Sequence, residues 1–171
     1  MSETVLFNRL AELAIATTTV EHPAVFTTEE ARVHTGHLPG GHVKNLFLKD
    51  KKDRLWLVVC LEDRALDLKA LAKTLGAASC LSFGRAELLA EVLGVTPGSV
   101  TPLALINDPA GRVEVVLDAA MLEHRVLNVH PLRNTATTAI TSHDLLRFVA
   151  STGRKPRILD LDALAAPGVA S

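Results

Sequence analysis

Three short stretches of this chain carry residues whose types and spacing could do chemistry. The first is Gly40-Gly41-His42-Val43-Lys44-Asn45, where a lysine enters an apolar run just after two glycines. Alternation along a strand puts Lys44 on one face with Leu46 and Leu48, and Asn45 on the other with Val43 and Phe47. A lysine on an apolar strand face either snorkels to the sheet edge or holds an anion in a pocket. Glycines beside it would let a ligand come close. The second stretch is Gly94-Val-Thr-Pro-Gly98-Ser99-Val100-Thr101-Pro102. A proline-stiffened loop with bare backbone N–H groups can hold a carbonyl oxygen as it gains negative charge; it can equally be a plain helix-to-strand connector. The third, Asn128-Val-His130-Pro-Leu-Arg-Asn134-Thr135-Ala-Thr-Thr138, ends an apolar strand on a histidine and adds an amide and three hydroxyls. Threonine also simply favours strands.

Other chemistries find less support. His34, His37 and His42 lie within nine residues and could supply three zinc ligands. The intervening glycines and proline leave their geometry undefined, no carboxylate sits nearby in sequence, and surface or capping roles fit them too. There is no GxxxxGK(S/T) phosphate loop, no GxGxxG after the first strand, no GxSxG elbow and no HExxH. Cys60 and Cys80 each sit in an apolar stretch, as buried thiols in a reducing compartment would. Neither neighbours a group that would activate it.

The elements that must position these residues alternate in type. Ser2 is placed to cap a first helix through Ala14, and Thr27 with Glu30 forms a capping box for a short second one. Segments 43–48 and 55–61 read as a hairpin across the charged tip Lys49-Asp-Lys51-Lys52-Asp-Arg54. Helices follow over 67–75 and 85–93, each closed by a glycine. Strands are expected at 81–83, 103–107, 113–118, 126–130, 135–140 and 157–161, with a helical turn at 119–124 and a helix from a Ser142 cap to Ala150. Several strand pairs are joined too tightly for a crossover helix and must be antiparallel. The class is therefore a mixed α/β sheet with helices packed around it, not a doubly wound one.

Composition agrees with one domain over residues 1–171 that buries a real core, with the tail APGVAS frayed. A hydrophobic share of 48% and charged share of 22% are those of a globular chain, and a net charge of −1 argues against a broad, sequence-independent nucleic-acid binder. The acidic, amphipathic start is no signal peptide, and no apolar run is long enough to span a membrane. A cytoplasmic protein is expected.

The three stretches, in this order, resemble the YbaK/ProX editing family. The resemblance rests on PGGHVKNLFLKD (39–50), LGVTPGSVTPLALIND (93–108) and NVHPLRNTATTAI (128–140), supported by LSFG (81–84). Family members include the insertion domain of bacterial prolyl-tRNA synthetases and free-standing deacylases. The resemblance implies a largely antiparallel, barrel-like sheet surrounded by helices, which hydrolyses the ester between an amino acid and the 3′-terminal adenosine of tRNA. Lys44 is then the essential lysine that holds the terminal nucleotide, Gly98 opens the loop at the scissile carbonyl, and His130 lines the amino-acid pocket. Asn45, Ser99, Val100, Thr101, Pro102, Asn134 and Thr135 are expected around the substrate. No metal or cofactor is implied. The wording is nearest to deacylases that clear alanine from proline tRNA; other readings are a deacylase for a cysteine- or serine/threonine-type error, or a non-catalytic tRNA- or synthetase-binding module.

The partner expected is the acceptor 3′ end of mischarged proline tRNA, with prolyl-tRNA synthetase as a second, and no membrane. Lys49, Lys51, Lys52 and Arg54 either contact acceptor-stem phosphates or form a solvated hairpin tip. Such an editor answers a physical need. A synthetase pocket separates similar apolar side chains by only about 1–3 kcal/mol per methylene, so a second, smaller pocket must remove the errors.

Overall fold

The computed structural model describes residues 3–164, so the expected Ser2 cap and the expected fraying of the tail lie outside the described residues. In chain order the elements are α1 (Glu3–Glu12), β1 (Thr18–Glu21), α2 (Thr28–Thr35), β2 (Gly41–Lys49), β3 (Leu55–Leu61), α3 (Leu68–Leu75), β4 (Ser82–Phe83) and α4 (Ala86–Leu93). After a 3-10 turn (Pro102–Asn107) come β5 (Val113–Asp118), β6 (Val126–Val129), β7 (Ala136–Thr141), α5 (Ser142–Ser151) and β8 (Arg157–Leu159). The sheet runs β1-β7-β6-β2-β3-β5-β8, with β4 on β2. The pairs β1–β7, β7–β6, β2–β3 and β2–β4 are antiparallel; β6–β2, β3–β5 and β5–β8 are parallel. The mixed α/β sheet expected from the sequence is the one observed.

β3 explains why helices cover both faces. Its sequence LWLVVCL is apolar at every position, as in a strand buried on both sides. Leu55, Leu57 and Val59 enter one core with α1, α4 and α5, while Trp56, Val58 and Cys60 enter a second with α3. β2 follows the same alternation, sending Phe47 to the first core and Leu48 to the second. The hairpin tip is tied by Asp50, only 1% exposed, whose carboxylate accepts N–H groups of Lys52, Arg54 and Ala78 at 2.9, 3.0 and 2.9 Å. These bonds, that from Ala78 foremost, hold the Asp50 carboxyl below the usual range.

Four expectations are corrected, and one strand was not anticipated. Residues 103–107 form a 3-10 turn and no strand. Pro102 opens it, the Thr101 hydroxyl accepts the Leu103 N–H at 3.3 Å, and Pro102–Ile106 are all buried. A short apolar run does not by itself separate a buried strand from a buried helical turn. The last helix is capped by Thr141, whose hydroxyl accepts the Asp144 N–H at 3.1 Å, and not by Ser142. The Thr27 hydroxyl does cap α2, but the Glu30 carboxylate reaches back one residue further, to the Phe26 N–H at 3.1 Å. β1 was not anticipated, because its residues TTVE are mostly exposed on a sheet edge. Cys80 is exposed, while Cys60 is buried as expected.

The strongest ionic tie is Asp108 with Arg154, whose side chains are 2% and 7% exposed. Asp108 also accepts the Val113 N–H at 2.9 Å, and Arg154 donates to the Val113 carbonyl at 2.9 Å. The pair therefore locks the start of β5 to the end of α5. Removing one member leaves the other charge buried. Asp108→Ala is expected to cost about 3–5 kcal/mol in urea unfolding, and a loss below about 1 kcal/mol, ordinary for a surface pair, would contradict this.

Candidate functional site

The site begins where β2 leaves β6. Their parallel ladder holds only Gly41 against Leu127 and His42 against Asn128. Continued in the same register, it would set Val43 against Val129 and Lys44 against His130. The ladder stops short of these pairs, while the other edge of β2 pairs with β3, Val43 with Leu61 and Lys44 with Cys60. Between the parting strands opens a cleft of about 230 Å³, walled by Lys44, Asn45, Gly98, Val100 and His130 among others. Residues from three separate stretches of sequence thus meet around one space.

Each is held differently. The Lys44 ammonium donates to the Arg64 carbonyl. Arg64 is itself fixed by its guanidinium, which pairs with the fully buried Asp118 at 3.1 Å and with Asp162. Asn45 carries a buried side-chain oxygen with no hydrogen-bond partner among the described residues. Gly98 has φ +90, which glycine adopts without strain. The backbone N–H groups of Gly98 and Val100 donate to no protein acceptor among the described residues. Ser99, Thr101 and Pro102 are buried and do not wall the cleft; they support the loop from beneath.

His130 has a defined state. Its Nδ1 lies 2.9 Å from the Ala136 carbonyl, which can only accept, so Nδ1 carries the hydrogen and, in the neutral ring, Nε2 keeps its lone pair. Burial pushes its pKa below the ordinary value, and His22, with ring centroid 6.4 Å away, lowers it further. The Asn134 amide donates to the Val25 carbonyl at 2.7 Å, which makes it a brace for the cleft wall. Thr135 accepts from Arg133 at 2.8 Å and does not wall the cleft. Thr137 bonds His22 and Thr138 bonds Thr19, each at 2.8 Å.

Sequence reasoning missed the other lining residues: Val25, Phe26, Thr27, Thr28 and Ala31 around α2, and Glu62 just past β3. The residues around α2 were signalled only by the capping box, which reads as a helix start. The basic hairpin tip lies apart from the cleft. Lys49 is five strand residues beyond Lys44, roughly 16 Å away. It pairs with Asp53 at 3.1 Å, and Arg54 pairs with Glu114 at 3.3 Å and lies over the Trp56 ring. Lys51 and Lys52 are exposed and form no ion pair among the described residues.

His34, His37 and His42, weighed as zinc ligands against surface or capping roles, do not converge: His42 bonds the Leu38 carbonyl at 3.0 Å while His34 stacks against His22. Among the described residues no group of three His, Cys, Asp or Glu could hold a metal ion. Burial pushes the Cys60 thiol up to about 12, so it stays protonated near neutrality and is no nucleophile. No helix among the described residues is long and apolar enough to cross a membrane.

A cleft walled by a lysine, a neutral histidine and free backbone donors, with no activated nucleophile, suits attack by water on an ester. The family model described as the aminoacyl-tRNA editing domain matches residues 22–148, and the chain belongs to that family. Membership sets the reaction class, hydrolysis of an aminoacyl-tRNA. The prolyl-tRNA synthetase associated domain-containing protein 1 of Bos taurus is 50% identical over 161 residues, covering 92% of this chain and 94% of that protein. The prolyl-tRNA editing protein ProX of Acetoanaerobium sticklandii is 36% identical over 154 residues, covering 90% and 93%. A crystal structure described as a candidate trans-editing enzyme for prolyl tRNA synthetase superposes with a TM-score of 0.69 at 23% identity, covering 94% of this chain and 97% of that one; at that identity the likeness speaks for the fold.

The His130 state carries a pH prediction. A histidine whose folded pKa is depressed resists protonation while the unfolded chain takes up a proton near pH ~6.5. Its contribution to stability is therefore full above about pH 6.5 and is lost as pH falls through the lower folded value. An NMR titration should find His130 neutral at pH 7, with its midpoint below about 6.5. A midpoint at or above the ordinary value would contradict the assigned state.

Proposed function

We propose that the protein acts in trans to hydrolyse alanine from mischarged proline tRNA, in the cytoplasm. The observation that carries this reading is the meeting of Lys44, Asn45, Gly98, Val100 and His130 around one cleft between β2 and β6. The two prolyl-tRNA names among the relatives support the choice of tRNA, and prolyl-tRNA synthetase, which makes the error, is the natural second partner.

In this reading Lys44 anchors the terminal nucleotide through its charge, positioned by the Arg64 carbonyl. The N–H groups of Gly98 and Val100 stabilise the oxyanion as water attacks the ester carbonyl. The neutral Nε2 of His130 offers an acceptor at the amino-acid end of the cleft. Asn134, with Ser99, Thr101 and Pro102 beneath the loop, keeps these groups in place. Discrimination is by overlap: a space fitted to alanine excludes the proline ring, and overlap rejects more strongly than weak apolar attraction. The exposed Lys51 and Lys52, with Lys49 and Arg54, supply cations for acceptor-stem phosphates about one strand length away.

Single-turnover deacylation of proline tRNA charged with alanine, cysteine, serine or proline tests the reading. Alanine should be released fastest and proline spared; equal hydrolysis of alanyl and prolyl esters would contradict the sieve. Lys44→Ala should slow alanine release roughly 10–150-fold, the worth of a hydrogen bond to a charged group, while leaving thermal stability nearly unchanged. Lys44→Arg keeps the charge but brings a wide planar fork and should restore little. A folded Lys44→Ala protein with normal rates would remove the lysine from the mechanism.

A further inference from the structure

Phe26 is 68% exposed, yet the backbone around it is fixed. Its N–H donates to the Glu30 carboxylate at 3.1 Å. Its neighbour Val25 is tied to Asn134 twice, Val25 N–H to the Asn134 carbonyl at 3.2 Å and the Asn134 amide to the Val25 carbonyl at 2.7 Å. The ring lies against Gly98, where an added β-carbon would stand 3.1 Å from Phe26 Cδ1. An aromatic face is thus held at the lip of the cleft, beside the loop that offers free backbone donors.

We propose that Phe26 is the stacking platform for the terminal base of the substrate's single-stranded 3′ end; this rests on the deacylase reading above. The chemistry of the substrate sets the requirement. One ribose joins the ester to the terminal base, so a base whose ester lies at the Gly98 loop must sit next to that loop. A phenyl face there takes a base without any hydrogen-bond code, and unstacked RNA ends are commonly gripped in this way. Lys44 supplies charge to the same nucleotide but no flat surface. The other exposed phenylalanine, Phe83 at 61%, pairs with Leu48 at the far end of β2 and is remote from the cleft.

The first test needs no catalysis. An uncharged acceptor minihelix carrying 2-aminopurine as its terminal base should lose fluorescence on binding the protein, and should keep it with Phe26→Leu, which retains apolar bulk without the ring. Phe26→Trp should restore the quenching. The second test compares alanyl minihelices ending in adenine or in an abasic ribose. The wild-type protein should favour adenine in kcat/KM by roughly 5–150-fold, the range for one base–aromatic stack, and Phe26→Leu should lose most of that preference. Quenching by Phe26→Leu equal to wild type, or equal slowing of both esters by the substitution, would overturn the proposal. If the wild-type protein cleaved neither ester, the deacylase reading would fall, while the fluorescence would still decide whether the base rests on Phe26.

Discussion

The site depends on how early β6 parts from one edge of β2 while the other edge stays paired with β3. Adjacent twisted strands rotate relative to one another by roughly 20–25°. Along one edge β2 pairs with β6 for only two residues while its other edge pairs with β3 over seven, and Lys44 is the second residue past the end of the β6 ladder. Backbone groups released on that side face a cleft and not another strand, so a lysine and an amide can stand beside that cleft on a largely apolar strand. The same parting brings His130, just past the end of β6, to the opposite side. Gly40 and Gly41 make the start possible. A β-carbon on Gly40 would stand 2.6 Å from the Val126 carbonyl, and one on Gly41 2.9 Å from the His124 ring.

Rigidity comes from the two cores and from a few buried charges at the ends of strands. β3 is packed on both faces and fixes the side of the cleft that carries Lys44. Asp118, at the end of β5, accepts from Leu61 N–H at 3.3 Å and from Arg64, so the turn that accepts from Lys44 is tied to the centre of the sheet. On the other side, Asn134 braces Val25 against the Gly98 loop. Preorganised donors are what an oxyanion requires, since they need no reorganisation at the moment of reaction.

Much of this was legible in the sequence where the pattern was local. The hairpin 43–61 and the glycine-closed helices α3 and α4 follow from alternation and caps, and the facing of Lys44 and Asn45 follows from the period of a strand. The buried turn 102–107 was not legible, because five consecutive apolar residues have the same pattern in a strand or a helical turn. β1 was hidden by its polar, edge-strand composition. The second wall of the cleft was invisible for another reason. Val25, Phe26 and Ala31 bear no reactive group, and long-range ties, from Asn134 to Val25 and between Arg32 and Glu62, bring them to the site. The threonines 135, 137 and 138 looked like substrate groups in sequence, yet all three hydroxyls have internal partners.

The placement of the ester in the cleft is tested most directly by a crystal structure with an acceptor minihelix whose terminal adenosine carries alanine through a non-hydrolysable amide. The alanyl carbonyl oxygen is expected within hydrogen-bond reach of the Gly98 and Val100 N–H groups, with the Lys44 ammonium at the terminal nucleotide. A carbonyl bound away from that loop, with Lys44 still turned only to Arg64, would contradict the assignment of the site.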